Sequence, residues 1–264
     1  MATGFYIGVD GKARKIKGGY IGIDGKARKI KKGYIGDENG VARLCWTAVD
    51  PVFANNPWVE IIEACQSGGV PDSWAVGDQK TMTIDGVDYA IDIIDKDHDD
   101  YSDGSGKAPL TFQIHDCYRT NYTMHHSSTN TTGWTSCAMR TTHLPSILAL
   151  MPNDVQSAIR EVNKLTSAGN ASNTIKSTAD KLFLLSEIEI IGVNGYSKSG
   201  EGTQYAYYAN GGSTIKKLSN SPTYWWERSP YSGDPERYCL IDTSGKYSCT
   251  YPTVANGVSF AFCF

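Results

Sequence analysis

Tyr224-Trp225-Trp226-Glu227-Arg228-Ser229-Pro230 and Asn256-Gly257-Val258-Ser259-Phe260-Ala261-Phe262-Cys263-Phe264 bracket the most informative stretch of the chain. Both edges are heavy in aromatic and apolar residues, as core strands are. Between them lies YSGDPERYCLIDTSGKYSCTYPTVA, residues 231–255, which sets Tyr231, Tyr238, Tyr247 and Tyr251 among Ser, Thr, Asp, Gly and Pro. Tyr is rigid and amphipathic, and costs little entropy to order. Tyr with small polar residues on loops held by a rigid frame is the chemistry of a contact surface. The alternative from composition is that these Tyr cover the edge of the core.

Working outward, KLFLLSEIEIIG (residues 181–192) reads as a strand feeding into a short helix, with Ser186 and Glu189 spaced as a capping box. Trp58, Ile61, Ile62 and Cys65 fall on one helical face after Asn56-Pro57, and Gly68 closes that helix. Residues 79–84 and 87–93 flank Asp85-Gly86 as a hairpin, and Leu110, Phe112 and Ile114 alternate as a strand. Val155, Ala158, Ile159 and Val162 suggest a second helix, and residues 166–179 a polar loop. At the other end, YIGVDGKARKIKGG, YIGIDGKARKIKKG and YIGDENGVARLCW start at Tyr6, Tyr20 and Tyr34. Each unit of this 14-residue repeat reads as strand, turn and basic strand, with Asp-Gly at the turn of the first two. The expected class is α+β. The domains expected are three β-hairpin repeats (1–46), a helix and linker (47–73), and a main domain (74–264).

A chain of 264 residues can bury a full core without staples. The net charge of −3 argues against a general nucleic-acid or anionic-membrane binder, and the Lys/Arg strands of the repeat read as solvated edges. Ser186, Glu187 and Glu189 interrupt the longest apolar run, so no membrane span is expected. The start lacks the apolar region of a secretory signal, which points to synthesis in the cytoplasm. The 7 Cys form no CxxC pair and read as reduced, mostly buried thiols.

The motifs that could carry chemistry are weak. Asp95, Asp97 and Asp99 alternate like the opening of a calcium loop, but Asp100 stands where Gly is needed and Gly106 where Glu is needed. They remain weak metal candidates beside the plain reading of an acidic turn. His125-His126 has no ligand spacing, and no nucleophile elbow occurs. Asn121, Asn130 and Asn170 each precede x-Ser/Thr, which matters only in a secreted eukaryotic context. No catalytic residue and no cofactor is implied.

YWWERSPYSG…GVSFAFCF, KLFLLSEIEIIG, DGSGKAPLTFQIHDC and GEGTQYAYYANG together resemble a domain common in phages and prophages of anaerobic bacteria, over about residues 74–264. Its order of parts is similar to the formylglycine-generating-enzyme type of C-type lectin fold. Leu184-Leu185-Ser186-Glu187 and Trp225-Trp226-Glu227-Arg228-Ser229 stand where that fold has Leu-Pro-x-Glu and Trp-x-x-Arg-Ser elements, with Ser186 in place of the usual Pro. The same fold carries the variable proteins of diversity-generating retroelements, which diversify surface positions near the C-terminus. Most residues of 231–254 belong to the set that adenine mutagenesis of Asn codons yields; Glu236 and Lys246 do not.

The resemblance implies a ligand-facing set: Tyr231, Ser232, Asp234, Arg237, Tyr238, Asp242, Tyr247, Ser248, Thr250, Tyr251 and Thr253. It makes Trp225, Trp226, Arg228, Phe260 and Phe262 framework, with Arg228 a buried organiser. The function implied is a phage tail adhesin that binds a host-surface protein or glycan. Its repeats would join other tail proteins or trimerise the chain, and its place would be the virion. The rivals are an enzyme on the same fold, which needs a convergent Cys or carboxylate pair, and a structural virion protein whose Tyr pack inward.

Overall fold

The computed structural model describes residues 49–264 in full and, before them, the backbone of the strands between residues 6 and 47. The chain divides into two compact units, Met1–Trp74 and Ala75–Phe264.

In the first unit the 14-residue period becomes three antiparallel strand pairs: β1 (Tyr6–Val9) with β2 (Lys12–Lys15), β3 (Gly19–Ile23) with β4 (Lys26–Ile30), and β5 (Lys32–Gly36) with β6 (Ala42–Thr47). The first two share one register, Tyr6 opposite Lys15 and Tyr20 opposite Lys29. The Asp-Gly turns lie outside the described residues. Helix α1 (Trp58–Ser67) buries Ile61, Ile62, Ala64 and Cys65 and stops at Gly68, whose φ of 66° suits glycine. Asn56 does not cap this helix. Its buried amide closes the preceding turn instead, with Nδ2 donating to Val52 O at 2.9 Å.

The second unit is mixed α+β, built on small antiparallel sheets. In chain order its elements are β7 (Gln79–Ile84), β8 (Val87–Asp95), β9 (Thr111–Ile114), β10 (Tyr122–Thr123), α2 (Leu144–Leu148), α3 (Asn153–Ala158), β11 (Val162–Ser167), β12 (Ile175–Asp180), β13 (Leu182–Phe183), α4 (Glu187–Ile191), α5 (Ala206–Ala209), β14 (Lys216–Leu218), β15 (Ser221–Thr223), β16 (Trp225–Pro230), β17 (Tyr238–Ile241), β18 (Tyr247–Thr250), β19 (Ala255–Asn256) and β20 (Ala261–Cys263). The largest sheet runs β13-β20-β9-β8-β7, so the C-terminal strand lies inside it. Phe112 faces Phe262 in register, their rings 5.4 Å apart, and Phe260 and Phe262 are fully buried.

Two expectations are corrected. The helix expected at residues 155–162 ends at Ala158, because Ile159 turns extended and Val162 pairs with Asp180 to open β11. Residues 166–179 are not one polar loop but most of the β11–β12 hairpin, with connecting residues only between Ser167 and Ile175. The misreading has a physical cause. The hairpin's buried side carries Lys164, Thr166, Thr178 and Asp180, and polar residues look like loop unless their partners are known. Here Lys164 Nζ reaches Asp99 at 2.7 Å and Glu189 at 2.8 Å, which satisfies the buried charge.

The capping box forms as the spacing requires. Glu189 N donates to Ser186 Oγ at 3.2 Å, and Ser186 N donates to Glu189 Oε2 at 3.0 Å. Glu189 also holds the fully buried Arg228 through both guanidinium ends, at 2.5 and 2.8 Å. Arg228 donates further to the carbonyls of Leu165, Leu184 and Glu201. One side chain thus ties β11, α4 and the loop after it to β16.

Candidate ligand-binding site

The site rests on the sheet β16-β17-β18. All of β16 is buried, with Trp225 Nε1 donating to Thr214 O and Trp226 Nε1 to Tyr122 O. The β17–β18 register sets Cys239 opposite Cys249 and Ile241 opposite Tyr247. Directly opposed residues share a face, so Tyr247 and Cys249 lie on one side of the sheet and Ser248 and Thr250 on the other.

On the Tyr247 side three segments meet. Ser232 N donates to Tyr196 O at 2.8 Å, joining the loop after β16 to the loop after α4. The Tyr196 ring sits 5.0 Å from Tyr231 and 5.2 Å from Tyr247. Arg237 lies over Tyr251, its Cζ 4.9 Å from the ring centre, and pairs with Asp234 at 3.1 Å. Its Nη1 donates to Cys249 Sγ at 3.9 Å. Tyr196, Tyr231, Tyr247, Tyr251 and Arg237 therefore form one contiguous amphipathic patch. Tyr247 and Tyr251 keep 42% and 41% of their surface in solvent, which makes the patch a surface and not a core. Gly195 permits the packing, since a Cβ there would lie 2.8 Å from the Tyr247 ring.

Several expected ligand-facing residues have other work. Tyr238 is corrected to core: it is fully buried, because β17 is the middle strand of its sheet and is buried on both faces, and its hydroxyl donates to Gly133 O at 2.9 Å. Asp242 closes the β17–β18 turn, accepting from Ser244 N at 2.8 Å and Lys246 N at 3.0 Å. Asp234 accepts from Glu236 N at 2.9 Å and so shapes its own loop. Ser232 is half-buried within the joined loops. Ser248 and Thr250 are half-buried on the opposite face, and Thr253 is exposed in the turn after β18. The framework residues Trp225, Trp226, Arg228, Phe260 and Phe262 are all fully buried.

Beneath the patch lie three buried carboxyls. Glu187 accepts from Tyr196 N at 2.9 Å and Ser197 N at 2.6 Å, and so fixes the Tyr196 loop. Glu201 accepts from Ser167 N at 2.9 Å and from the Ser229 hydroxyl; burial pushes its carboxyl up to about 7 against those bonds. Neither oxygen of Glu227 has a hydrogen-bond partner. Burial, then the neighbouring Glu187 and Glu201, pushes the Glu227 carboxyl well above the usual carboxylate range.

Asp95, Asp97 and Asp99 do not converge. Asp95 accepts from Ala206 N, Asp97 is exposed, and Asp99 is buried against Lys164 and Thr111. Burial opposes ionisation of Asp99, but Lys164 and His98 outweigh it and hold the carboxyl well below the usual range. Among the described residues no group of His, Cys, Asp and Glu is arranged to hold a metal ion. Cys65, Cys117, Cys137 and Cys239 are buried free thiols, Cys249 is a half-exposed free thiol, and Cys263 is buried in the last strand. The side chain of Cys45 lies outside the described residues.

The sequence reading missed Tyr196 and Asn130. Tyr196 carries the signal read in residues 231–254, a Tyr among Gly and Ser, but outside the bracketed stretch. Asn130 is fully buried, and its Nδ2 faces the carbonyls of Tyr231 (3.1 Å), Asp234 (3.0 Å) and Arg237 (2.8 Å). Its Oδ1 accepts from Asn170 N at 2.7 Å. No local pattern marks a side chain that organises a loop a hundred residues away.

The arrangement defines a Tyr-rich surface that carries one Arg and rests on a rigid sheet. The chain belongs to the family described as a domain of unknown function, DUF6273, whose model matches residues 106–264 and so takes in every residue of the patch. No curated protein and no solved structure matches the chain. Among the described residues no helix is long and apolar enough to cross a membrane.

Proposed function

We propose that this chain is a phage tail-associated receptor-binding protein, a diversity-generating retroelement variable protein with a C-type lectin-like C-terminal domain that binds a host-surface protein or glycan. The observation that carries the reading is the convergence of Tyr196, Tyr231, Tyr247, Tyr251 and Arg237 from three segments onto one surface, above a fully buried frame. Tyr and Arg are the residues most often found as interface hot spots, and a contiguous amphipathic patch is uncommon on a monomer without a partner. In this reading the β1–β6 repeats attach the protein to the tail or trimerise it, and the virion is where it acts. Labelled full chain should stain intact cells of some members of a panel of anaerobic bacteria. Staining of none, or of all equally, would contradict it. The flanking DNA tests the diversification separately: a reverse transcriptase gene and a near-copy of the 3′ end differing at adenines are expected.

One observation favours a second reading, an enzyme on the same fold: Cys239 and Cys249 are opposed across β17 and β18, close to buried carboxyls. Turnover requires a substrate route to the pair, and Cys239 is fully buried. Metal content and the oxidation state of Cys239 in purified protein separate this reading from the first.

A further inference from the structure

The β17–β18 hairpin has a feature that does not depend on what the patch binds. Asp242 N donates to Lys246 O at 2.8 Å, which makes residues 242 and 246 a hydrogen-bonded pair. Hydrogen-bonded and non-hydrogen-bonded pairs alternate along an antiparallel ladder. Ile241 with Tyr247 is therefore non-hydrogen-bonded, Leu240 with Ser248 hydrogen-bonded, and Cys239 with Cys249 non-hydrogen-bonded. In such pairs the Cα atoms stand about 4.5 Å apart and the side chains on one face come closest. That spacing lies within the range a disulfide spans, at its short end. Both thiols are free.

We propose that Cys239 and Cys249 are a disulfide-forming pair whose oxidant is a small-molecule disulfide. Cys249 is half-exposed and Cys239 is fully buried, so the entry step belongs to Cys249. Its thiolate attacks one sulfur of the small disulfide, the old S–S bond breaks, and one small thiol leaves. The Cys239 thiolate then attacks Cys249 Sγ in the mixed disulfide and releases the second small thiol. Both electrons pass to the reagent, and the two cysteine protons end on the two released thiols. Burial, then Glu227, Glu187 and Glu201, pushes the Cys239 thiol well above its usual range. The closing step therefore speeds up as pH rises. Closure also changes the sulfur that Arg237 Nη1 contacts at 3.9 Å, and so links the Arg237–Tyr251 corner of the patch to thiol redox state.

The test treats native full chain with oxidised glutathione, followed by alkylation and peptide mass mapping. The wild type is expected to lose two thiols and yield a Cys239–Cys249 linked peptide, faster at higher pH. Cys239→Ala is expected to stop at one glutathionyl group on Cys249, and Cys249→Ser to leave Cys239 unreacted. Cys249→Ser changes a half-exposed position, so it reports even where Cys239→Ala does not fold. A wild type that retains glutathione on Cys249, keeps both thiols, or links either cysteine elsewhere overturns the proposal.

Discussion

Replacing Asn130 by Ala should loosen the surface from within. Its side-chain amide has two N–H donors and three carbonyls stand within reach, so one N–H bonds a single carbonyl and the other is shared between two. The bond from Asn170 N brings the engaged hydrogens to three. Intramolecular hydrogen bonds contribute about 1 kcal/mol each net, and carbonyls left without donors in a partly buried site cost more. Asn130→Ala should therefore destabilise the protein by about 3 kcal/mol. Asn130→Asp should cost at least as much, since a carboxylate there faces three carbonyl oxygens with no proton to give. Urea unfolding of both variants measures this, with the slope unchanged if the compactness of the end states is unchanged. Stability of either variant within about 0.5 kcal/mol of wild type, the range of an ordinary surface substitution, would refute this role for Asn130.

Trp226→Ala should impair folding, by about 3–5 kcal/mol in a urea titration, since it empties a fully buried site and frees Tyr122 O. Tyr238→Phe should cost about 1 kcal/mol through the lost bond to Gly133 O while leaving any ligand binding intact. The raised Glu201 carboxyl favours the protonated form in the folded state. Folded protein then binds more protons than unfolded between the usual 4.5 and about 7, and stability falls as pH rises through that window. Glu201→Gln should flatten this slope, worth up to about 3 kcal/mol, in thermal melts taken from pH 4.5 to 8. Lowered Glu189 and Asp99 act at the other end, their contribution being lost as pH falls below the ordinary carboxylate range.

Local chemistry was legible in the sequence where neighbours in the chain are neighbours in space. The capping box of Ser186 and Glu189, the Asp85-Gly86 hairpin and the Gly68 stop of α1 are all short-range devices, and each forms as its spacing requires. The buried polar face of β11 and β12 was not legible, because Lys164 becomes a core residue only through Asp99 and Glu189, which are distant in sequence. Tyr238 was misplaced for a related reason. Composition reports that a stretch is rich in Tyr, while the middle place of β17 in its sheet follows only from pairing. Tyr196 and Asn130 act on residues 231–237 from separate loops, and only the fold brings them there.

The most direct measurement compares two full-length proteins on intact bacterial cells: wild type, and a variant with Tyr231, Arg237, Tyr247 and Tyr251 all changed to Ala. None of the four side chains is fully buried, and the Arg237 contacts to Asp234 and Tyr251 lie at the surface. Stability should fall only modestly, since surface substitutions each shift it by about 0.5 kcal/mol or less. Cell binding should be lost, because hot-spot residues are each worth about 2 kcal/mol or more. A folded variant that binds the same cells as well as wild type would contradict the assignment of this surface as the receptor-binding site.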